Sequence, residues 1–435
     1  MVLTTILSAF IIVSMVVSIF RFPTIRFGRF QLGGYCFFAL VGALLLLLFG
    51  CVSVRDALAG IFADSDVNPV KILILFLSMT AFSVFLDELG LFRYLASLAL
   101  RRAGGSQTAL FLLLYATVSI LTVFTSNDII ILTFTPFVCA FARNARINPL
   151  PYLFAEFFAA NTWSMMLMIG NPTNIYIASF LQIDFFAYTR VMVIPTVACG
   201  LTSLLLLYLI FRPSLSQPIS ARPEEVVLHE RVLLTIGVVH LLICLVLLAV
   251  CSYIGVAMWL LSLILLASLF ITVLIYRCAQ RERPIILLST LKRMPWELVP
   301  FMLSMFVLVV ALEKNGICTA LVSALDTYLG GSSVPTLTYG ISSFLTANLI
   351  NNIPMSVLFA NLSSQNGTSA AAFASIVGSN LGAYLTPVGA LAGIMWADIL
   401  RRERVPFDYR DFVKYGAMVS IPTLLVALLL LPCFL

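Results

Sequence analysis

The chain has 435 residues, 61% of them hydrophobic and only 10% charged, with 25 Lys and Arg against 19 Asp and Glu for a net charge of +6. Mean hydropathy is +1.09. A soluble domain carries about 25% charged residues, so the composition excludes a soluble globular protein, and with no long polar segment there is no room for a soluble catalytic domain.

Apolar stretches near the roughly 20 residues of a spanning helix recur along the chain. Helices are expected at about 1–20, 31–54, 71–91, 150–186, 190–211, 232–252, 254–276, 297–312, 371–398 and 414–435. Residues 1–20 lack a basic start and a small-residue cleavage motif, so they read as a retained helix, not a leader. Basic residues gather at Arg21/Arg26/Arg29, Arg93/Arg101/Arg102, Arg143/Arg146, Arg277–Arg293 and Arg401–Lys414. The alternate loops are acidic or uncharged: Asp56, Asp64 and Asp66 against Arg55, and Ser363–Ser369. The loop at 212–231 is mixed in sign. The positive-inside rule then places both chain ends on the non-cytoplasmic side of a cell inner membrane. The net charge is thereby assigned to loops, not to nucleic acid.

The same count predicts two re-entrant hairpins. Segment 107–141 has basic loops on both sides and a polar middle, Thr125-Ser126-Asn127-Asp128, so it enters and leaves on one face. Segment 335–362, with Asn348 and Asn351-Asn352-Ile353-Pro354, is expected to do the same from the other face. Non-helical backbone at membrane depth is tolerated only where protein or a water-filled cavity satisfies it.

An internal repeat supports the pairing. Leu77-Ser78-Met79, Leu86 and Gly90 recur as Leu303-Ser304-Met305, Leu312 and Gly316, 226 positions on. Tyr115, Ser119, Leu121-Thr122 and Asn127 recur as Tyr339, Ser343, Leu345-Thr346 and Asn351, 224 positions on. The expected organisation is an additional helix in 1–30, a first repeat over 31–211, a linker and additional helix over 212–253, and a second, inverted repeat over 254–435. Each repeat would hold one hairpin and one broken helix, about 150–186 and 371–398. Such repeats mark secondary transporters, whose sites lie where broken elements meet near the bilayer midplane.

Four polar breaks interrupt the apolar sequence: Ser126-Asn127-Asp128; Gly170-Asn171-Pro172-Thr173-Asn174; Asn351-Asn352-Ile353-Pro354; and Gly378-Ser379-Asn380 through Thr386-Pro387-Val388-Gly389. Gly and Pro free backbone groups. Freed carbonyls suit a cation, and freed amides at a helix N-terminus suit an anion or polar solute. With Asn161 and Asn348 these residues form the candidate substrate and ion site. Asp128, a carboxylate at a hairpin tip, is the leading proton carrier or cation ligand, with a structural cap as its alternative. Glu156 is a second proton-carrier candidate. Asp87-Glu88, Glu313-Lys314 and Asp398 read as interfacial, Lys71 as snorkelling and His240 as packing. Nine cysteines are scattered without a CxxC pair, so no thiolate metal site is expected. No nucleotide-binding, H-E-x-x-H or dinucleotide motif is present, so no enzyme activity and no cofactor is expected; an H+ or Na+ gradient would drive the solute.

At these residues the chain resembles the ion transporter superfamily, and within it the arsenite permease (ArsB) and NhaD group. The resemblance rests on Phe85-Leu86-Asp87-Glu88-Leu89-Gly90-Leu91-Phe92, Thr125-Ser126-Asn127-Asp128 with Thr135-Pro136, Gly170 to Asn174, Asn351-Asn352-Ile353-Pro354, and Gly378 to Gly389. Asn380 stands where the family pattern has an acidic residue. The resemblance implies an all-α polytopic fold of about ten spanning helices plus two re-entrant hairpins, moving as an elevator. It also implies proton-coupled arsenite or antimonite efflux, a possible homodimer and, as in ArsB systems, a separate ATPase subunit. The divalent anion:sodium symporters are more distant relatives. In that reading Ser126, Asn127, Asn351 and Asn352 would ring sodium while Thr173, Asn174 and Thr386 meet a carboxylate; a sodium/proton antiporter is the related option. A channel-like subunit driven by a partner is the alternative from another class.

Overall fold

The computed structural model describes residues 2–22, 24–27, 30–62, 68–216, 228, 230–251, 254–329 and 334–435. Asp64, Asp66 and most of the 212–231 loop lie outside the described residues.

Helix α1 (Val2–Arg21) leads into a small antiparallel hairpin, β1 (Thr24–Phe27) and β2 (Phe30–Gly33), in place of the basic loop expected around Arg26. Its β-branched and aromatic residues favour strand. Then follow α2 (Gly34–Leu48), α3 (Val54–Ile61), α4 (Pro69–Glu88), α5 (Leu91–Arg102), α6 (Gln107–Phe124), α7 (Asn127–Ala145), α8 (Leu150–Trp163), a 3₁₀ turn (Met168–Gly170), α9 (Pro172–Phe180) and α10 (Phe185–Leu215). After α11 (Arg231–Val250) the order recurs: α12 (Met258–Ala279), α13 (Ile285–Arg293), α14 (Leu298–Lys314), α15 (Ile317–Leu329), α16 (Pro335–Ile350), α17 (Asn352–Asn366), α18 (Ser369–Gly382), a 3₁₀ turn (Pro387–Gly389), α19 (Leu391–Arg402) and α20 (Tyr409–Leu430).

Among the described residues eight helical stretches are long and apolar enough to cross a membrane. Their outward faces are apolar: Leu201, Leu205 and Leu209 on α10, and Ile264, Ile271 and Ile275 on α12, are exposed. Such a surface is stable in lipid and would aggregate in water. Two of the eight stretches are α6 and α7, of 18 and 19 residues. At 1.5 Å per residue each reaches about 27 Å, so the first hairpin is long enough to extend through most of the bilayer. Four short helices, α3, α5, α13 and α15, occupy segments expected to be loops or helix ends. At 8 to 13 residues they are too short to span.

The hairpins and broken helices interlock. α6 packs on α8 and α16 on α18, each within its own half; α7 packs on α19 and α17 on α9, each across to the other half. The α16–α18 contact is close because Gly378 faces Gly340 and Ser343. Around this unit stand α2 against α14, α1 against α2, and α4 against α12 and α13. Ion pairs tie the short helices to the far half. Arg293, at the end of α13, reaches Asp87 at 2.7 Å and Glu88 at 2.5 Å, at the end of α4. Lys314, at the end of α14, meets Asp56 of α3 at 2.7 Å and holds that carboxyl below the usual carboxylate range. An aromatic cluster of Phe154, Phe157, Trp396 and Phe412 fills the space between α8, α19 and α20.

Candidate functional site

Each break is a place where one helix ends and the next begins. At the first hairpin tip α6 stops at Phe124, Thr125 and Ser126 are extended, and α7 starts at Asn127. Ser126 occupies the N-cap of α7 but its hydroxyl caps nothing. At the second tip Asn351 joins α16 to α17 with φ of +73°, a left-handed conformation that few non-glycine residues adopt. Its Oδ1 accepts from the Ile353 amide at 3.3 Å, and its Nδ2 donates to the Val388 carbonyl at 2.9 Å. That second bond fastens the tip of one hairpin to the break after α18.

The broken helices meet through asparagine. Asn380 lies two residues before the end of α18. Its Oδ1 accepts from Ser164 Oγ at 3.1 Å and from Asn171 Nδ2 at 3.0 Å. Its Nδ2 donates to Asn174 Oδ1 at 2.7 Å and to the Ile376 carbonyl at 2.8 Å. Asn171 also caps α9, accepting from the Thr173 amide and hydroxyl. Pro172 suits the first position of that helix, where its missing N–H costs nothing. Gly170 has no room for a side chain, because a Cβ would overlap the Ser164 carbonyl. Asn161, two residues before the end of α8, donates back to Phe157 O at 2.8 Å and accepts from Asn127 Nδ2 at 3.1 Å. In the second half Asn348 donates to Gly382 O at 2.9 Å and accepts from Thr386 at 2.7 Å. Pro387 opens the 3₁₀ turn, and a Cβ on Gly389 would crowd Gly382 O.

These bonds unite Asn171, Thr173, Asn174 and Asn380 in one network, link Asn127 to Asn161, and link Asn348 to Thr386. Glu156 stands apart. It is fully buried on α8 and accepts from Thr135 Oγ1 at 2.7 Å. Thr135 is seven residues, about 10 Å, along α7 from Asp128, so the two carboxyls are not neighbours. Asp128 is half-buried in the first turn of α7.

Several buried oxygens at the breaks have no hydrogen-bond partner: Ser126 Oγ, Asn127 Oδ1, Asn352 Oδ1 and Ser379 Oγ. A buried polar atom left unpaired costs about 1–3 kcal/mol, a cost that a bound hydroxylated solute or cation would remove. These four oxygens are uncharged, and among the described residues no Lys or Arg is buried. Tyr35, on α2, borders a small cavity with Asn351 of the second tip and donates to Glu297, before α14, at 2.8 Å; nothing in the sequence pattern singled them out, since neither falls in a break or in the repeat.

The sequence profile of the citrate transporter family CitMHS matches residues 34–378. The chain belongs to this family. This CitMHS member is therefore a multi-pass membrane transporter of that group. It is 27% identical over 408 residues to an arsenical pump membrane protein of Escherichia coli, covering 90% of this chain and 91% of that one. A putative arsenical pump membrane protein of Bacillus subtilis is 24% identical, covering 90% and 92%. The fold is similar to that of the YdaH transporter of Alcanivorax borkumensis, with a TM-score of 0.56 and 16% identity, covering 99% of this chain and 97% of that one.

Proposed function

We propose that this transporter exports arsenite or antimonite across the inner membrane in exchange for protons. The observation that carries the reading is the set of unpaired neutral oxygens at the breaks, with no buried Lys or Arg among the described residues. Arsenite at neutral pH is a small uncharged trihydroxide. It can donate to Ser126, Asn127, Asn352 and Ser379 and needs no cationic partner. A citrate trianion would need counter-charge, which here only co-bound sodium and the helix N-termini of α7, α9, α17 and α19 could supply. The names of the arsenical relatives point the same way.

In this reading Asp128 takes up the exchanged proton, with Glu156 as a second buried acid. The two halves are inverted repeats, and the unit of hairpins and broken helices moves as an elevator against the surrounding helices. The recurring element order and the reciprocal packing of α7 on α19 and α17 on α9 support that arrangement. The family's citrate description favours a second reading, sodium-coupled carboxylate uptake through the same breaks.

Proteoliposomes holding the purified chain distinguish the two. The expected result is arsenite movement driven by a proton gradient and reduced to background in Asp128→Asn. Citrate uptake that requires sodium, with arsenite inert, would move the protein to the carboxylate branch and make Asp128 a sodium ligand.

A further inference from the structure

A cavity of about 360 Å³ lies away from the four breaks, where α4, α10 and α12 begin. That volume is in the range of small-ligand sites. Lys71 of α4, Ser179 at the end of α9, Asp184 before α10, and Met258 and Trp259 of α12 line it. The three helices run from the cavity toward arginine: α10 and α12 carry Arg212 and Arg277 in their last turns, and Arg93 follows α4. The cavity thus lies at the membrane boundary opposite the basic loops, a setting that suits Lys71 and Trp259. Two of the three helix starts are capped by side chains, α4 by Asn68 and α10 by Asp184, whose Oδ1 accepts from the Ala187 amide at 2.8 Å. The third is not. α12 follows Ala257, which has no capping group, and the Met258 and Trp259 amides meet no acceptor among the described residues. Ser179 is 8% exposed, and its hydroxyl makes no hydrogen bond among the described residues. Two backbone donors at the positive end of a helix dipole, a buried hydroxyl and a lysine thus line one cavity, a donor set that suits a phosphate. Asp184 adds a negative charge, which a bare phosphate would face and an attached ammonium would answer. Ile72, Leu75 and Val256 add apolar lining, and the neighbouring Phe186, Leu260 and Leu263 are exposed on the lipid-facing surface.

We propose that this cavity binds the headgroup of an aminophospholipid, of the phosphatidylethanolamine class, from the adjoining leaflet. The phosphate oxygens accept from the Met258 and Trp259 amides, from Ser179 Oγ and from Lys71 Nζ. A lysine ammonium has three donors and can serve a phosphate beside other partners. The lipid ammonium donates to the Asp184 carboxylate, and the acyl chains leave along Phe186, Leu260 and Leu263. Phosphatidylglycerol offers the phosphate without a cation, and the quaternary amine of phosphatidylcholine has no N–H to donate. The site is distinct from the breaks and does not depend on which solute is carried. It does have a place in the fold. α9 is packed against α17 in the interlocked unit, whereas α4 and α12 pack on each other outside it. A headgroup held by Ser179 on one side and by Lys71 and α12 on the other bridges the unit to its surroundings.

The test is lipid binding to the full-length protein in detergent, read by native mass spectrometry. Phosphatidylethanolamine, phosphatidylglycerol and phosphatidylcholine are titrated into wild type, Lys71→Gln and Asp184→Asn. The expected result is one phosphatidylethanolamine bound to wild type at least about fivefold more tightly than either other lipid. Asp184→Asn should remove that preference by weakening phosphatidylethanolamine alone, and Lys71→Gln should weaken both phosphatidylethanolamine and phosphatidylglycerol. Asparagine can accept from the Ala187 amide as aspartate does, so Asp184→Asn keeps the cap of α10. Ser179→Ala removes a single oxygen and should also weaken phosphatidylethanolamine, which keeps the donor side testable if Lys71→Gln lowers the melting temperature. Water-soluble glycerophosphoethanolamine is run as a competitor and should displace the lipid only at much higher concentration. Displacement at equal concentration would make the ligand a soluble phosphate ester and overturn the lipid assignment. Equal binding of the three lipids to wild type, or the same phosphatidylethanolamine affinity in wild type and all variants, would overturn the site itself.

Discussion

Asn380 is one of the side chains through which the two halves of the chain meet, and all four of its hydrogen-bonding positions are used. Two donors point at its Oδ1, from Ser164 and Asn171, and its Nδ2 serves two acceptors, Asn174 Oδ1 and Ile376 O. Only an amide matches two donors and two acceptors at once. An ionised Asp here would accept from Ser164 and Asn171 but face the oxygens of Asn174 and Ile376 with no proton between. Asn380→Asp should therefore lower transport by about tenfold or more at neutral pH, the equivalent of roughly 1–3 kcal/mol for one lost hydrogen bond and its unpaired partner. Activity should recover as pH falls, because the protonated acid again has one donor. A flat pH profile for the variant, measured against wild type in the same vesicles, would refute this account. The acidic residue expected at this position from the family pattern thus needs a different set of neighbours from the one built here.

At the scale of elements, the polar breaks were legible because they oppose local propensity. Pro, Gly and Asn in an apolar run leave backbone groups that membrane interior cannot satisfy, so each had to mark a helix end or a turn. Ser126 to Asp128, Gly170 to Asn174 and Asn351 to Pro354 all sit where α-helices start. Less could be read of the connections. The short helices α3, α5, α13 and α15 mix charge with apolar residues over too few turns to stand out from loop. The β1–β2 hairpin rests on only eight residues. The two-residue slip in the repeat falls between Gly90 and Tyr115, ahead of the first hairpin, and the arms after the tips then differ as well, 19 residues in α7 against 15 in α17. The partners of each asparagine could not be read at all, because they are set by packing between residues up to 216 positions apart. Within this unit α16 and α18 touch where Gly378 has no side chain. A Cβ there would overlap Ser343 Oγ and Gly340 O. Gly378→Val should cost at least about 1–3 kcal/mol by overpacking, seen as a lowered melting temperature and a smaller monodisperse fraction in detergent. Gly367→Asn provides the contrast. That residue ends α17 with φ of +74° and open space around it, a position asparagine tolerates. Equal damage from both variants would count against close α16–α18 packing.

Across the whole molecule, neither half buries its own surfaces alone. α7 needs α19, α17 needs α9, and α2 needs α14. The ends of α4 and α14 are held by charges from short helices of the opposite half, Arg293 and Asp56. Asn380 completes a network whose other members all precede α10. In the proposed elevator motion such a unit would keep the site intact, since the contacts that shape the site lie inside it.

The reciprocal packing has a consequence for how the chain can be made. The packing between the halves is made by helices on both sides of the connection between α10 and α11. Two genes, one ending after α10 and the other beginning at α11, should give fragments that find each other in the bilayer and co-purify through a tag on either. Each fragment expressed alone would be left with an open groove where the other's helices belong, and should be degraded. Fragments that accumulate separately and fail to co-purify would mean that the halves are self-sufficient domains. Recovery of transport from the pair would mean that an ancestor assembled from two chains could have carried the same site before a single chain did.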